Sequence, residues 1–252
     1  MRLAFFITCL TDQFYPRAGL ACCAVLKHLG HEVIFPQAQT CCGQPMYNAG
    51  YHDQARDLAR HTLNVFEEFD HVVTPSGSCC AMLREHYAPL FEADPAMAAR
   101  AERLAGKTYE FVEFLTRELG VDVAKLGLRE GRAPQTATYH PSCHLRPLGL
   151  TGETPALLTA MGGFELKPLG HADECCGFGG LFAVKFPEIS GAMAREKARE
   201  VERTGAATLI CNDAGCAMNI EGACRREGVK VRVKHAAELI AEELGLRIEP
   251  AV

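Results

Sequence analysis

The sequence lacks several features that would place it in a common functional class. No run of about 18 apolar residues occurs, so a membrane-spanning helix is not expected. Charge of one sign is not in large excess, since the formal net charge is −5 at pH 7, and this argues against a nucleic-acid-binding surface. The apolar N-terminus is followed by Asp12 and Arg17 without a small-residue cleavage site, which indicates a buried strand and not a signal peptide.

Motifs for cofactors and catalysis are also scarce. The sequence has no Gly-x-Gly-x-x-Gly or Walker pattern, so no nucleotide site is predicted. It has no flavin signature, and no Ser–His–Asp arrangement can be argued from spacing. Paired Cys-x-x-Cys knuckles, which usually bind structural zinc, are missing as well.

Cysteine, in contrast, is abundant, with 13 in 252 residues. A chain of this length with an odd number of cysteines and no export signal does not fit a small secreted protein held by disulfides. Metal or redox chemistry in a reducing compartment is the better interpretation, and we expect a cytoplasmic location.

Eight of these cysteines form a long-period repeat. In each copy a cysteine precedes a Cys-Cys-Gly triplet by 31 residues (10–40 and 144–174). A further cysteine follows the triplet, after 35 residues in the first copy and 38 in the second. We call the two groups the first cysteine set (Cys9, Cys41, Cys42, Cys79) and the second cysteine set (Cys143, Cys175, Cys176, Cys216). Such a repeat indicates two copies of one supersecondary unit, and it predicts two domains, residues 1–130 and 131–252.

Strand-like and helix-like stretches alternate along both copies. Apolar, β-branched runs predict strands at 3–8, 32–35, 71–74, 137–140, 164–166, 208–210 and 228–233. Helical spacing predicts helices at 17–29, 51–69, 155–161, 187–204 and 235–244. Residues 80–119 are predicted to be mostly helical, with 109–119 as the clearest part. The alternation is typical of an α/β fold with mainly parallel sheets, here two pseudo-repeated domains. Because sites in such sheets form outside the carboxyl ends of strands, we expect each cysteine set at one edge of its own sheet.

Two chemistries suit four cysteines in each copy. Zinc takes four thiolates, and so does an iron–sulfur cluster, which also tolerates wider spacing between its ligands. Ligand softness and number favour iron–sulfur over zinc, which stays open as the lesser possibility. Buried packing is the simpler interpretation for Cys22, Cys23 and Cys224, which fall in helical stretches.

The two copies resemble the cysteine-rich CCG domain, which occurs in the B subunit of heterodisulfide reductase and in iron–sulfur subunits of glycolate oxidase and anaerobic glycerol-3-phosphate dehydrogenase. In length and local sequence the chain is most similar to the lactate utilisation protein A family, which has two such domains and no ferredoxin module. The stretches that carry the resemblance are Thr40–Pro45, Pro75–Cys79, Tyr139–His144, Cys175–Gly180 and Gly215–Asn219.

This resemblance implies an iron–sulfur electron-transfer subunit, with one or two clusters of the 4Fe–4S type. The implied ligands are all eight residues of the two cysteine sets. The implied partners are other subunits of a complex that oxidises L-lactate or a similar 2-hydroxy acid such as glycolate, and the chain is not expected to oxidise lactate alone.

The pattern departs from that of heterodisulfide reductase at two positions. Met82 and Asn219 stand where that family has a fifth cysteine in each copy, and Cys80 and Cys211 lie at other offsets. A five-cysteine non-cubane site is therefore not implied. A thiol–disulfide oxidoreductase and a zinc-stabilised binding module remain as alternative functions.

Two histidines, His140 and His144, flank the first cysteine of the second set. A histidine near a cluster can tune its potential by hydrogen bonding or couple electron transfer to proton transfer. The alternative for each is a loop histidine that bonds to the backbone.

Overall fold

The computed structural model describes residues 1–128 and 133–248. Its first half carries a parallel sheet of four strands in the order β2-β1-β3-β4. The strands are β1 (Arg2–Phe5), β2 (Glu32–Ile34), β3 (His71–Thr74) and β4 (Thr108–Glu110). The helices are α1 (Cys9–Phe14), α2 (Pro16–His28), α3 (Gln44–Asn48), α4 (His52–Phe66), α5 (Gly77–Ala81), α6 (Tyr87–Leu90), α7 (Pro95–Ala105) and α8 (Phe111–Glu113), with π-helical turns at Met82–His86 and Phe114–Glu118 and a 3-10 turn at Val123–Lys125.

The second half repeats this arrangement, with a parallel sheet in the order β6-β5-β7-β8. Its strands are β5 (Gln135–His140), β6 (Phe164–Lys167), β7 (Thr208–Cys211) and β8 (Arg232–His235). Its helices are α9 (Glu153–Met161), α10 (Leu181–Lys185), α11 (Pro187–Thr204), α12 (Ala214–Glu227) and α13 (Ala236–Glu243), with a 3-10 turn at Cys143–Leu145. The strand order is the same in both halves, which confirms the predicted α/β fold of two pseudo-repeats with parallel sheets.

The central strand β1 shows why the N-terminal sequence is so apolar. Its residues Leu3, Ala4 and Phe5 are completely buried, because helices cover both faces of the sheet. A parallel strand covered on both faces needs apolar side chains at successive positions, not at alternate ones. Burial of Phe5 alone contributes about 2–3 kcal/mol to folding.

The two halves share an apolar core. Helix α2 of the first half packs along α13 of the second. The same cluster of buried side chains includes Leu3 and Phe111 from the first half and Leu158 and Ile240 from the second. The halves are therefore packed together by the hydrophobic effect, and this packing fixes how the two sheets face each other.

Reciprocal hydrogen bonds show that a pseudo-twofold axis relates the halves. Glu110 and His235 are the last residues of β4 and β8, and each caps the helix that follows. Glu110 Oε1 accepts a hydrogen bond from Asn212 Nδ2 at 3.0 Å, while His235 Nε2 donates to the carbonyl oxygen of Pro75 at 2.8 Å. Pro75 and Asn212 are themselves equivalent, since each lies four residues before the last cysteine of its set.

Three parts of the sequence prediction differ from the structure. The helix predicted at 109–119 is wrong at its start, because Thr108–Glu110 form β4 and the helix begins only at Phe111. The strand predicted at 228–233 lies at Arg232–His235. The sequence prediction lacks the helices α1, α3, α10 and α12, of which α12 is the longest. The predicted domain boundary between residues 130 and 131 lies outside the described residues, so the division into domains stays a prediction. No helix in the described ranges is long and apolar enough to cross a membrane.

Candidate metal centres between the two sheets

The carboxyl ends of β1 and β3 deliver two members of the first cysteine set. Cys9 begins α1 shortly after β1, and Cys79 lies in α5 shortly after β3. Ser76 caps α5 by accepting a hydrogen bond from the Cys79 amide at 3.2 Å, which holds that helical turn against the strand end. The doublet Cys41–Cys42 comes from the loop between β2 and α3.

The sulfurs of the first cysteine set meet in pairs. Cys9 Sγ lies 3.5 Å from Cys41 Sγ, and Cys42 Sγ lies 3.2 Å from Cys79 Sγ. The Gly43 amide points at Cys41 Sγ from 3.5 Å. All four thiols are free, so these contacts are not disulfides.

The second cysteine set is built in the same way. Cys143 opens the 3-10 turn after β5, and Cys216 lies in α12 after β7. Cys176 Sγ lies 3.3 Å from Cys216 Sγ, and the Gly177 amide donates to Cys175 Sγ at 3.4 Å. Each predicted set is therefore brought to one edge of its own sheet, as the strand pattern predicts.

Glycine is required after the second doublet. Gly177 has φ +82°, a left-handed conformation that disfavours side chains. A Cβ atom at this position would lie 2.8 Å from Met193 Cβ and 2.9 Å from the Ser190 carbonyl oxygen. The turn that presents Cys175 and Cys176 therefore has no room for any other residue.

One thiolate forms readily in each set. Hydrogen bonds from the thiols of Cys42 and Cys9 lower the pKa of Cys41 to about 3. Hydrogen bonds from Cys143 and Cys176 lower the pKa of Cys175 to about 2. The same bonds raise the pKa of the donor thiols well above the ordinary value (Cys9, Cys42, Cys143, Cys176).

The donor atoms and the spacing of the sulfurs show whether the residues fit a metal or a cluster. In each set a thiolate is flanked by two thiols that keep their protons. Further deprotonation would place negative charges within hydrogen-bond distance of one another in a largely buried site, and a bound cationic centre would stabilise them. The soft sulfur donors and their convergence therefore fit a bound metal centre in each half.

A cavity of about 90 Å³ lies between the halves and is lined by residues of both sets. Seven of the eight cysteines line it (Cys9, Cys42, Cys79, Cys143, Cys175, Cys176, Cys216). Polar groups from both halves complete the wall, including Ser76, His144 and Asp213. The two sets thus open towards each other and not to opposite faces of the molecule.

Asp213 is a residue of this wall that the sequence did not single out. It lies three residues before Cys216 and caps α12 by accepting from the Gly215 amide at 3.0 Å. Its other oxygen accepts from Ser76 Oγ at 2.9 Å and from the Ser78 amide at 3.1 Å. The only signal in the sequence is the equivalent position of Ser76 in the first copy.

The two histidines beside Cys143 lie in different surroundings. His144 Nδ1 is 3.5 Å from Cys143 Sγ at the cavity wall. His140, the last residue of β5, is 1% exposed, and burial lowers the pKa of its imidazole to about 4, so the ring is neutral. Among residues 1–128 and 133–248, neither imidazole has a hydrogen bond to the backbone.

The remaining cysteines lie away from the cavity. Cys22 packs in the core shared by both halves, and Cys224 packs in the core of the second half. Cys80 and Cys211 are fully buried among apolar neighbours. Burial raises the pKa of each of these four thiols, which is typical of inert packing cysteines.

Comparison with known proteins agrees with this geometry. The CCG cysteine-rich domain family matches residues 3–84 and again residues 137–221. A lactate utilization protein A from Shouchella clausii is 47% identical over 95% of this chain and 98% of its own length. One from a Geobacillus species is 45% identical over 95% of this chain and 99% of its own length. Among solved structures, a glutamate racemase from Francisella tularensis covers 97% of this chain and 79% of its own, at 12% identity and a TM-score of 0.37, too weak a likeness to support an argument.

Proposed function

The chain belongs to the CCG cysteine-rich domain family, within its lactate utilization protein A group, and on this premise we propose that it is an iron–sulfur electron-transfer subunit. A role in lactate utilisation follows from the names of its relatives, which are similar over nearly their whole length. The complex it serves would oxidise L-lactate or a similar 2-hydroxy acid such as glycolate.

The observation that carries the proposal is the pairing of two cysteine sets around one cavity. Each set offers four thiols at a sheet edge, which is the ligand number of a 4Fe–4S cluster. Such a cluster, when bound, takes up and releases single electrons. Because the two sites open into the same cavity, an electron could pass from one cluster to the other within this chain. This arrangement suits electron transfer through the chain.

The backbone around each doublet supports this role. The amides of Gly43 and Gly177 point at Cys41 Sγ and Cys175 Sγ from 3.5 and 3.4 Å. Hydrogen bonds to the ligand sulfurs stabilise the more negative, reduced form of a cluster and so raise its potential. The turn that presents each doublet thus also tunes the site.

The partners that fit this role are the other subunits of the oxidising complex. No flavin motif occurs in the sequence, so the oxidation of the 2-hydroxy acid would take place on another subunit, in the cytoplasm. Electrons would enter this chain from that subunit and leave towards an acceptor.

A disulfide-reducing role is less well supported. Met82 is fully buried in the core of the first half, and Asn219 Nδ2 donates to the Cys176 carbonyl oxygen at 2.8 Å. The positions where heterodisulfide reductase has a fifth cysteine are therefore occupied by side chains with structural contacts.

Zinc is the second candidate for the second half. Ligand atoms of His140, Cys176 and Cys216 lie within 4.8 Å of one another, a spacing that suits a single ion as well as part of a cluster. A zinc-stabilised binding module would then replace the electron carrier.

The test is to measure iron, zinc and acid-labile sulfide per chain after anaerobic purification, with an EPR spectrum of the reduced protein. About eight irons with matching sulfide indicate two clusters, and about four indicate one. Zinc without iron or sulfide would contradict the proposal and favour the binding module.

A further inference from the structure

The two cysteine sets differ at a pair of equivalent buried positions near their first cysteines. Three residues before Cys143 is His140, and three residues before Cys9 is Phe6. Both side chains are buried, with 1% and 0% of their surface exposed. Phe6 packs edge-on against Phe66, with ring centroids 5.3 Å apart. The repeat therefore has an imidazole in the second half where it has a phenyl ring in the first.

The His140 ring has no hydrogen-bond partner among the described residues. Both Nδ1 and Nε2 are buried and unpaired. A buried polar atom that loses its hydrogen bond to water without replacement destabilises the fold, and here both nitrogens of one ring do so. Such a side chain is retained when something absent from the polypeptide itself bonds to it.

The ring is aimed at the second cysteine set. A nitrogen of His140 lies with Cys176 Sγ and Cys216 Sγ in a group whose atoms are all within 4.8 Å of one another. Among residues 1–128 and 133–248 no second group of this kind occurs, and Phe6 explains why the first set does not form one. Asn219, the residue at the fifth-cysteine position, is occupied by its bond to the Cys176 carbonyl oxygen.

From this geometry we infer that His140 is a nitrogen ligand of the metal centre in the second half. Neutral imidazole is a common metal ligand. This ring is buried beside two thiols, and metal binding would break none of its hydrogen bonds to the described residues. The second centre then has mixed nitrogen and sulfur donors, while the first has sulfur alone. The inference rests on the proposed function, which supplies a metal centre at this site.

The two centres then differ in reduction potential. When the imidazole takes the iron site that a thiolate would otherwise fill, the centre carries one negative charge fewer, and histidine in place of cysteine raises the potential of an iron–sulfur centre. The second centre therefore has the higher potential of the two. Electrons that enter the chain would therefore move from the first centre to the second. This gives electron transfer a direction within a molecule whose two halves are otherwise related by pseudo-symmetry.

The test is pulsed EPR on the full chain, purified anaerobically, reduced, and grown with either natural or ¹⁵N-labelled histidine. We expect the coupling of a directly coordinated nitrogen, changed by the label. It should be lost in His140→Phe, which copies the residue of the first half, and retained in His144→Phe, the matched control. His140→Cys keeps a ligand at the position and should also remove the nitrogen coupling while preserving the iron content.

The outcomes separate the inference from the proposed function. Full iron and sulfide with no nitrogen coupling, or only the weak coupling of a hydrogen-bonded ring, overturns the inference and leaves the electron carrier intact. Zinc without iron or sulfide overturns the electron carrier. In that case the same labelled protein, loaded with Co²⁺ alone, still shows whether a His140 nitrogen binds the ion.

Discussion

Ser76 and Asp213 occupy equivalent positions in the two repeats and are bonded to each other, with Ser76 Oγ donating to Asp213 Oδ2 at 2.9 Å. Each lies three residues before the last cysteine of its set and caps the helix that carries that cysteine. The carboxylate of Asp213 also accepts from the Ser78 amide, so one side chain holds the N-termini of both helices. The contact lies on the pseudo-twofold axis, at the wall of the shared cavity.

Asp213→Ala should lower the free energy of unfolding by about 2–3 kcal/mol, because it leaves amides of two helix N-termini without their acceptor. Urea unfolding of the purified protein measures the change. Asp122→Ala is the matched control, since Asp122 caps an exposed turn by one bond to the Ala124 amide and should cost less than about 1 kcal/mol. Equal effects of the two substitutions would contradict a bridging role for Asp213.

Gly177→Ala should destabilise the protein by about 2–4 kcal/mol, because it combines a left-handed backbone with a clash against Met193 and Ser190. It should also reduce the metal bound by the second cysteine set. Gly205→Ala isolates the backbone effect, since Gly205 has φ +61° and open space around it, and should cost about 1 kcal/mol. Thermal or urea unfolding measures the loss of stability in both variants, and metal analysis measures the metal that each binds. Normal metal content in Gly177→Ala would contradict the steric argument.

Removing the last cysteine of one set should affect one centre only. Cys79→Ser should lose the metal of the first half and Cys216→Ser that of the second, each about half of the total if both are loaded, because each set has its own four thiols. Iron, sulfide and zinc analysis measures the loss. Cys224→Ser is the control, since Cys224 is buried in α12 but does not line the cavity, and it should keep the full metal content.

Glu110 should make stability depend on pH. Complete burial raises the pKa of its carboxyl from 4.5 to about 7, against opposing hydrogen bonds from Asn212 and two amides. Between these two pKa values the folded state holds a proton that the unfolded state has released. The contribution of this carboxyl to the free energy of unfolding is therefore full below about pH 4.5 and is lost as the pH rises through about 7. Between pH 5.5 and 7.5 the loss should be about 2 kcal/mol.

Glu110→Gln removes this titration while keeping the size of the side chain. The free energy of unfolding, measured in urea at pH 5.5 and 7.5, should fall less with pH in the variant by about 2 kcal/mol. Glu118→Gln is the control for the same substitution at a half-buried glutamate, in the π-helical turn Phe114–Glu118. An identical pH dependence in wild type and Glu110→Gln would show that this carboxyl does not titrate in the range.

The repeated cysteine spacing predicted two copies of one unit, and the alternation of strand-like and helix-like stretches predicted the parallel sheets and the edge at which each set converges. That success has a physical basis, because parallel strands all end at one edge and cysteines placed just after them must gather there. Strand β4 was not predicted, because it has only three residues, Thr108–Glu110. These are too few to show the alternation of apolar and polar residues that is typical of a strand before the helix begins at Phe111.

The relation between the halves could not be predicted in the same way. The bond between Ser76 and Asp213 and the shared cavity depend on how two separately folded sheets dock, which no local spacing encodes. The orientation of the His140 ring is a similar case. Its place at the end of β5 was evident from the sequence, but its burial beside Cys176 and Cys216 depends on loops some 30 or more residues away.

The contact on the pseudo-twofold axis also bears on how such a chain could arise from a shorter one. In a symmetric dimer of single repeats this position would face its own copy, and the two residues would be identical. Two aspartates there would repel each other, and two serines would offer no carboxylate to cap both helices. Joining the repeats in one chain removes that constraint, because the two positions can then differ. The Ser76–Asp213 pair is thus an interaction that fusion permits and that a homodimer of identical repeats could not have formed.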